Sequence, residues 1–338
     1  MRERSMLLTG CDGFIGGHIA STARAQGWRV VGVSRTGLEK ARASATVDER
    51  VTLDLTDGDA EERLVAALDG VDAVVHAAAR VQLFGRAAPV IAENVAVTER
   101  VMRAAARAGS PRVVFLSSAS VLFERKEQKG LREDATPPRR CVNGYAESKK
   151  RCERVVEAYR GSSAILRPQA VIGPGDRTLL PPVVAAATGP SWRWMGTRDG
   201  AETDLISVGN LAEYCVRAAE RSEATGVFHL SDGESEPIEQ LFRRVFSALG
   251  LEVSEKRISR SAAKFVARTC EWPLWLVAPN REPLLTEFAV EVLTRTRTLH
   301  RARTLAQLGE PLATFRDGLE KAIRAQRELE NSAATPWP

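Results

Sequence analysis

The sequence predicts an α/β fold, a doubly wound parallel sheet followed by a smaller, mostly helical C-terminal lobe. Three observations predict it. Apolar runs of strand length alternate with helical patterns from residue 6 to residue 118, the mark of a parallel sheet covered on both faces. A glycine series at intervals of three, Gly10-Cys11-Asp12-Gly13-Phe14-Ile15-Gly16, lies between the first run and the first helical pattern. The chain has 338 residues, more than one such sheet needs, so a second unit follows it.

Met6-Leu7-Leu8-Thr9 is the first strand, and it turns through the glycine loop into a helix. That arrangement can hold a dinucleotide pyrophosphate on the helix N-terminus. Gly10 permits the turn, Gly13 lets backbone N–H groups approach the phosphates, and Gly16 lets helix and strand pack closely. Trp28 to Arg35 reads as the second strand, Val51 to Leu55 as the third, and Asp59 to Leu68 as a helix. Val71 to Ala79 is a buried strand ending in Ala77, Ala78 and Ala79, small side chains against which a flat cofactor can lie. Ile91 to Ala108 is a long helical pattern carrying Asn94, and Arg112 to Ser118 is a strand ending in hydroxyls.

Glu124 to Val142 is polar and proline-bearing, hence a loop, and it delivers the chain to a helix from Tyr145 to Arg160. Ser163 to Arg167 is a further strand closed by Pro168, and Gly173-Pro174-Gly175-Asp176 is a turn. The pattern is irregular from there to Asp204. Leu205 to Ala219 returns to strand and helix, and Val227 to Leu230 to strand. After residue 231 helix dominates, and Asn331 to Pro338 reads as a frayed tail. The expected division is a Rossmann-type nucleotide-binding domain of residues 1–167, with 204–230 returning to its sheet. A substrate lobe then comprises 168–203 and 231–330, and 331–338 is the tail.

The composition is 44% hydrophobic and 27% charged, which suits a globular chain with ample core. No apolar run reaches the roughly 18 residues that suggest a membrane span. Cys11, Cys141, Cys152, Cys215 and Cys270 are scattered without metal-ligand spacing, so they read as free thiols of a reducing cytosol. With five residues before Met6, no secretory leader is expected, and the location expected is cytoplasmic. The net charge of +5, from 48 basic and 43 acidic side chains, is spread along the chain. It predicts no nucleic-acid partner, while a basic site for an anionic cofactor fits it.

Tyr145 and Lys149 are four residues apart, hence on one face of their helix. A tyrosine with its ordinary pKa of about 10 is a poor base at neutral pH, and a lysine ammonium one turn away favours the phenolate. A tuned tyrosine exchanges a proton with the oxygen of a carbonyl/alcohol pair. Ser118, with Ser117 second, is the candidate to hold that oxygen from a neighbouring strand end. The second strand ends in Ser34-Arg35, with no carboxylate until Glu39. A carboxylate there binds a ribose 2′-OH and a basic residue favours a 2′-phosphate, so NADP(H) is preferred to NAD(H).

These motifs together resemble the extended short-chain dehydrogenase/reductase family. The matching residues are Thr9-Gly10-x-x-Gly13-x-x-Gly16, His76-Ala77-Ala78, Asn94-Val95, Ser117-Ser118-x-Ser120-Val121 and Tyr145-x-x-x-Lys149. Arg167-Pro168, Gly173 to Asp176, Val208-x-Asn210-Leu211, Leu308-Gly309-Glu310-Pro311 and Gly318-Leu319 extend the resemblance to about residue 325. Ser-Ser-x-Ser-Val without a following Tyr-Gly, and Pro283-Leu284-Leu285-Thr286, look most like its 3β-hydroxysteroid dehydrogenase-like, epimerase/dehydratase-related branch. The resemblance implies Tyr145 as acid/base, Lys149 on the nicotinamide ribose and Ser118 on the substrate oxygen. The cofactor set it implies is Gly10, Gly13, Phe14, Ile15, Gly16, Ser34, Arg35, Asp54, Leu55, Ala77, Ala78, Ala79, Asn94, Ser117, Tyr145, Lys149, Pro168 and Val171. No metal is implied, and two helices of this fold often pair, so by family analogy a homodimer is one assembly open to the chain, whose oligomeric state the sequence does not identify.

Two departures bear on substrate. Nucleotide-sugar members resemble Arg-x-x-Asn where this chain has Arg167-Pro168-Gln169-Ala170, and Leu122-Phe123 stands where they often have Tyr-Gly. Both favour a less polar small-molecule substrate, a ketone or secondary alcohol of steroid-like, acyl or polyketide type. The alternatives are a nucleotide-sugar epimerase, dehydratase or ketoreductase, and a non-catalytic NADP(H) sensor. Trp192, Trp194, Met195, Phe265, Trp272, Trp275 and Leu276 fall where the family places its pocket. Packing of the lobe core, or an apolar face over Phe265 to Val277 on a membrane surface or partner, would use the same residues.

Overall fold

The computed structural model describes residues 3–35, 47–277, 283 and 285–333. Glu39, Leu284, the side chain of Leu276 and the tail beyond Ala333 lie outside the described residues. The chain runs through β1 (Arg4–Thr9), α1 (Phe14–Ala25), β2 (Trp28–Ser34), β3 (Glu49–Thr52), α2 (Ala60–Ala67), β4 (Ala73–His76), α3 (Ala87–Arg107) and β5 (Arg112–Leu116). Next come β6 (Gln128–Leu131), α4 (Gly144–Glu157), β7 (Ser163–Pro168), β8 (Ala170–Ile172), α5 (Leu180–Ala187), β9 (Trp194–Met195), β10 (Glu202–Ser207), α6 (Val208–Glu220) and β11 (Gly226–Leu230). The last stretch holds β12 (Ser235–Pro237), α7 (Ile238–Leu249), β13 (Arg257–Ile258), α8 (Arg260–Val277), α9 (Glu287–Thr294), β14 (Arg297–Leu299), α10 (Ala302–Leu308) and α11 (Phe315–Ala333).

Seven strands form one parallel sheet in the order β3-β2-β1-β4-β5-β7-β11. Successive side chains point to opposite faces, and both faces of the central strands are covered, which is why β4 and β5 are buried along their whole length while edge strand β3, Glu49–Thr52, is not. Met6, Leu8, Val75 and Val114 meet α1 and α6 through Ile19, Ala23, Leu211 and Cys215. Leu7, Val74, Val113 and Phe115 meet α2, α3 and α4 through Leu64, Val101 and Val156. The strand order reverses between β1 and β4, so a crevice opens at their C-terminal ends, where Thr9 pairs opposite His76.

A second sheet has the order β12-β10-β14-β6, with β8 beside β10. Its core joins α5, α7 and α11 through Leu180, Val184, Leu241, Phe246 and Leu319. Several of these elements differ from the sequence reading. β6 lies in the predicted loop 124–142, α5 and β9 lie in the stretch read as irregular, and β12, β13 and β14 interrupt the helical end. β10 pairs with β8, β12 and β14, so within 204–230 only α6 and β11 return to the large sheet. The physical reason is shared. These strands have two to six residues, and their partners lie far along the chain, as Gln128 does from Arg297. Among the described residues no helix is long and apolar enough to cross a membrane.

Candidate active site

The glycine loop is as tight as its spacing requires. Gly10 has φ +74°, and a Cβ there would stand 2.9 Å from the Ala78 backbone. A Cβ on Gly16 would stand 2.0 Å from the Gly10 carbonyl oxygen. α1 begins at Phe14 behind an N-cap glycine, Gly13, with no side-chain cap and no acid in its first turn. The N–H groups of that turn, on Phe14, Ile15 and Gly16, lack intrahelical acceptors, so the loop fits an external anion such as a pyrophosphate. Phe14 itself packs edge-on to His18, their centroids 5.9 Å apart, and Ile15 packs partly on the sheet core.

Behind the loop a buried chain of hydrogen bonds holds the ends of β1 and β4. Thr98 Oγ1 donates to the Asn94 carbonyl at 2.8 Å and lies 3.2 Å from His76 Nε2. His76 Nε2 is therefore the donor of that pair, and Thr9 Oγ1 donates to His76 Nδ1 at 2.7 Å. Thr9 Oγ1 in turn accepts from the Ala78 N–H at 3.2 Å. Burial, with the nearby Lys149 charge, pushes His76 down to about 3, so the imidazole is neutral. Ala77 packs on one face of the sheet, Ala78 on the other, and Ala79 is half-buried.

At the end of β2, Arg35 is exposed and Ser34 is buried. The structure adds a residue that the sequence reading missed. Arg50 of β3, its side chain 6% exposed, donates to Ser34 Oγ at 2.8 Å and to Asp12 Oδ1 at 2.6 Å. Its signal was the parallel pairing of β3 with β2, which sets Arg50 opposite Gly32. Asp54 accepts from the Thr56 N–H at 2.9 Å and hydroxyl at 2.7 Å. Those bonds, with Arg35 and Arg100 nearby, hold its carboxyl below the usual range. Leu55 is buried.

α4 starts where Asn143 accepts from the Ala146 N–H at 2.8 Å. It sits close to α3, since a Cβ on Gly144 would stand 2.7 Å from Ala87 Cα. Tyr145 is half-buried on its first turn. Lys149 is buried, its Nζ 6.0 Å from the Tyr145 ring centroid and 4.7 Å from that of Phe115. It donates to the Leu116 carbonyl at 2.7 Å, one residue before the serine pair. Burial pushes the ammonium down to about 8, against the pull of Cys152 and Glu153. One expectation is corrected here: the Tyr145 phenol lies above its ordinary pKa rather than below it, because burial opposes the phenolate more than Lys149 favours it. The ammonium is engaged with a carbonyl, so desolvation of the phenolate decides the direction.

Ser118 is half-buried and caps a short 3₁₀ turn, Ala119–Leu122, its Oγ accepting from the Ser120 N–H at 3.2 Å and lying 2.9 Å from Ser120 Oγ. Two other assigned residues are committed inside the protein. Ser117 donates to buried Glu153 at 2.5 Å, which commits its hydroxyl proton inside the protein. Asn94 accepts from the Arg80 N–H at 2.8 Å and donates to the Arg80 carbonyl at 3.0 Å and Ser148 Oγ at 2.9 Å. Ser148 donates to the Tyr145 carbonyl at 2.7 Å, so Asn94 ties the loop after β4 to α4. Glu153 pairs bidentately with Arg167 of β7, at 2.8 and 2.7 Å, both side chains at most 4% exposed. The sequence reading missed Glu153, although Tyr145, Lys149 and Glu153 fall at i, i+4 and i+8 on one helix face.

Pro168 ends β7 opposite Leu230, and Val171 of β8 packs partly on the sheet core. Beside the start of α4 lies a groove of about 210 Å³ whose walls include Phe84, Val142, Asn143, Arg125, Trp275 and Phe288. The aromatic residues do not all line it. Trp192 and Trp194 pack edge-to-face at 5.3 Å and reach Phe246 of α7 at 5.4 and 5.9 Å, inside the lobe core. Met195 packs on Ala263, Ala267 and Val290. Trp275 lines the groove, whereas Phe265 and Trp272 are 70% and 72% exposed.

Fold and site together define a nicotinamide-dinucleotide enzyme of the oxidoreductase and epimerase type. A model of the NAD dependent epimerase/dehydratase family matches residues 6–230, and the chain belongs to that family, within the extended short-chain dehydrogenases/reductases. It is 28% identical over 328 residues to a 4-hydroxy-2-methyl-3-oxo-4-farnesyl-3,4-dihydroquinoline-1-oxide ketoreductase of Stigmatella aurantiaca, covering 94% of this chain and 95% of that one. It is also 28% identical to a 3 beta-hydroxysteroid dehydrogenase/Delta 5-->4-isomerase of Mycobacterium tuberculosis, over 98% of this chain and 96% of that one. Among solved structures, the Bordetella bronchiseptica enzyme WbmH in complex with NAD+ superposes with a TM-score of 0.73 at 22% identity. That match covers 96% of this chain and 99% of the other.

Proposed function

We propose that the protein is an NADP(H)-preferring oxidoreductase that interconverts a ketone and a secondary alcohol on a largely apolar substrate. The observation that supports this reading is Lys149, its Nζ 6.0 Å from the Tyr145 ring centroid and bonded to the Leu116 carbonyl two residues before Ser118. When bound, the cofactor supplies or accepts the hydride at its nicotinamide. Ser118 holds the substrate oxygen, and Tyr145 moves the proton there. The Tyr145 phenol is in the protonated form that ketone reduction uses, and burial makes it the weaker acid, so its proton transfer depends on a nearby cation. Lys149, still mostly charged at pH 7, stabilises the phenolate left behind. Residues 1–167 with α6 and β11 hold the cofactor, and the remainder covers the substrate.

Ser34 and Arg35, joined by Arg50 across β2 and β3, support a 2′-phosphate rather than a bare ribose. The ketoreductase and hydroxysteroid dehydrogenase activities of the two relatives support an apolar substrate. So does Ala170, which pairs with Leu205 in β8 and has no side chain to hold a nucleotide diphosphate. Nicotinamide turnover across apolar ketones, sterols and nucleotide sugars tests the reading. Apolar ketones should be reduced with NADPH, and UDP and TDP should leave the rate unchanged at millimolar concentration. Competitive inhibition by either nucleotide at micromolar concentration would transfer the reading to a sugar substrate.

A further inference from the structure

α8 is packed the wrong way round for a helix that serves only its own core. Its inward residues are the small ones: Ala263 and Ala267, both fully buried against Val290 of α9, with Met195, Ile258 and Leu285 around them. Its large residues face out, with Phe265 70%, Trp272 72%, Trp275 50% and Val277 79% exposed. Val266 adds 41% exposure. An apolar face of this kind marks a surface that the protein covers with something else. Two features identify what covers it.

The first is charge. The described cations on and beside the face are each paired within the protein, three of them sharing two acids: Lys264 with Glu291 at 2.7 Å, and both Arg268, on the same stripe as Phe265 and Trp272, and Arg125 with Glu287, at 3.1 and 3.0 Å. A face whose flanking charges are satisfied internally offers little field to steer a charged partner, and suits an electrically neutral surface. The second is continuity. Trp275 belongs both to the exposed face and to the wall of the groove beside Asn143 and Gly144, where the helix of Tyr145 starts. Whatever covers the face therefore also borders the groove.

We propose that α8 seats its outer face on the surface of a zwitterionic lipid bilayer, so that an apolar substrate reaches the groove from the lipid. The passage of substrate rests on the function proposed above; the docking does not. Indole and phenyl rings suit the depth of the headgroup boundary, and the paired flanks keep the attachment reversible.

Flotation of the full-length protein with phosphatidylcholine vesicles tests it, using the double variant Phe265→Ser/Trp272→Ser as control. Both positions are exposed, so the variant should keep the wild-type melting temperature and its turnover of a water-soluble ketone. The wild type should float, high salt should not release it, and the double variant should bind at least about tenfold more weakly. Wild-type tryptophan emission should shift to the blue with vesicles, and that shift should be lost in the variant. Absence of flotation at millimolar lipid overturns the proposal. So does flotation confined to anionic vesicles and abolished by salt, or a dimer in lipid-free buffer that the double variant dissolves. Vesicle binding without turnover of any apolar ketone upholds the docking and refutes the proposed function; turnover without vesicle binding does the reverse.

Discussion

At Tyr145 two demands meet under the proposed function, because the hydroxyl would give up a proton where burial opposes the phenolate. Only a nearby cation offsets that, and Lys149 is one helical turn away. Tyr145→Phe should lower kcat by about 10²–10⁴, roughly 3–5 kcal/mol in barrier, while leaving cofactor affinity almost unchanged. Near-normal turnover in steady-state assays of that variant would remove Tyr145 from the mechanism. Lys149 titrates at about 8 in the folded protein, so its cation is lost as pH rises through that value, and turnover should fall there. The cofactor end makes an independent prediction. A charge-assisted bond from Arg35 to a 2′-phosphate should be worth about 1.5–3 kcal/mol, or roughly 10- to 150-fold in affinity. Arg35→Asp should weaken NADPH by that factor and leave NADH equal or better. Equal wild-type affinities for the two cofactors, by fluorescence titration, would end the NADP(H) reading.

At the scale of elements, α4 is tied into the fold by a carboxylate that catalysis does not touch. Glu153 binds Arg167 of β7 bidentately and accepts from Ser117 at the end of β5, so one residue fastens the helix to two strands. Arg167→Met would leave that buried carboxylate uncompensated, and should cost about 3–5 kcal/mol of stability by urea denaturation. Arg167→Met/Glu153→Leu should recover most of the loss, since an apolar pair of similar volume avoids desolvating two charges. A double variant as unstable as the single one would mean that the pair acts through something besides its charges. Tyr145 and Lys149 were visible as candidates in the sequence because the glycine loop and the serine pair accompany them. Glu153 was not, because a glutamate on a helix usually faces water. Its burial depends on Arg167, which belongs to another element. For Ser117 and Asn94 the sequence shows the residue type but not the partner. Their residue types suit a ligand, but local geometry gives both to the protein itself.

The whole molecule divides by how far its contacts reach along the chain. The seven-stranded sheet was legible because its central strands β1, β4 and β5 are apolar runs that alternate with helices, so pattern and partner lie close in sequence. The second sheet was not, since Thr203, Arg297 and Gln128 come together from three distant segments of the chain. One side chain bridges the two regions. His229 of β11, in the large sheet, lies 3.0 Å through Nδ1 from the carbonyl of Leu131 of β6. Burial, reinforced by Arg167, pushes His229 down to about 4, and burial pushes His76 down to about 3. Both folded values lie below the unfolded value of about 6.5, so below that pH the unfolded chain binds protons that the native protein refuses. Stability is therefore full above pH 6.5 and falls on acidification. Between pH 6.5 and 5, before most carboxylates titrate, the two histidines together should remove about 3 kcal/mol. His229→Gln keeps a donor for the Leu131 carbonyl and removes the titration, so its stability should decline about half as steeply across that interval. Denaturant midpoints measured at each pH decide it: parallel slopes for wild type and variant would show that His229 already accepts its proton in the folded protein.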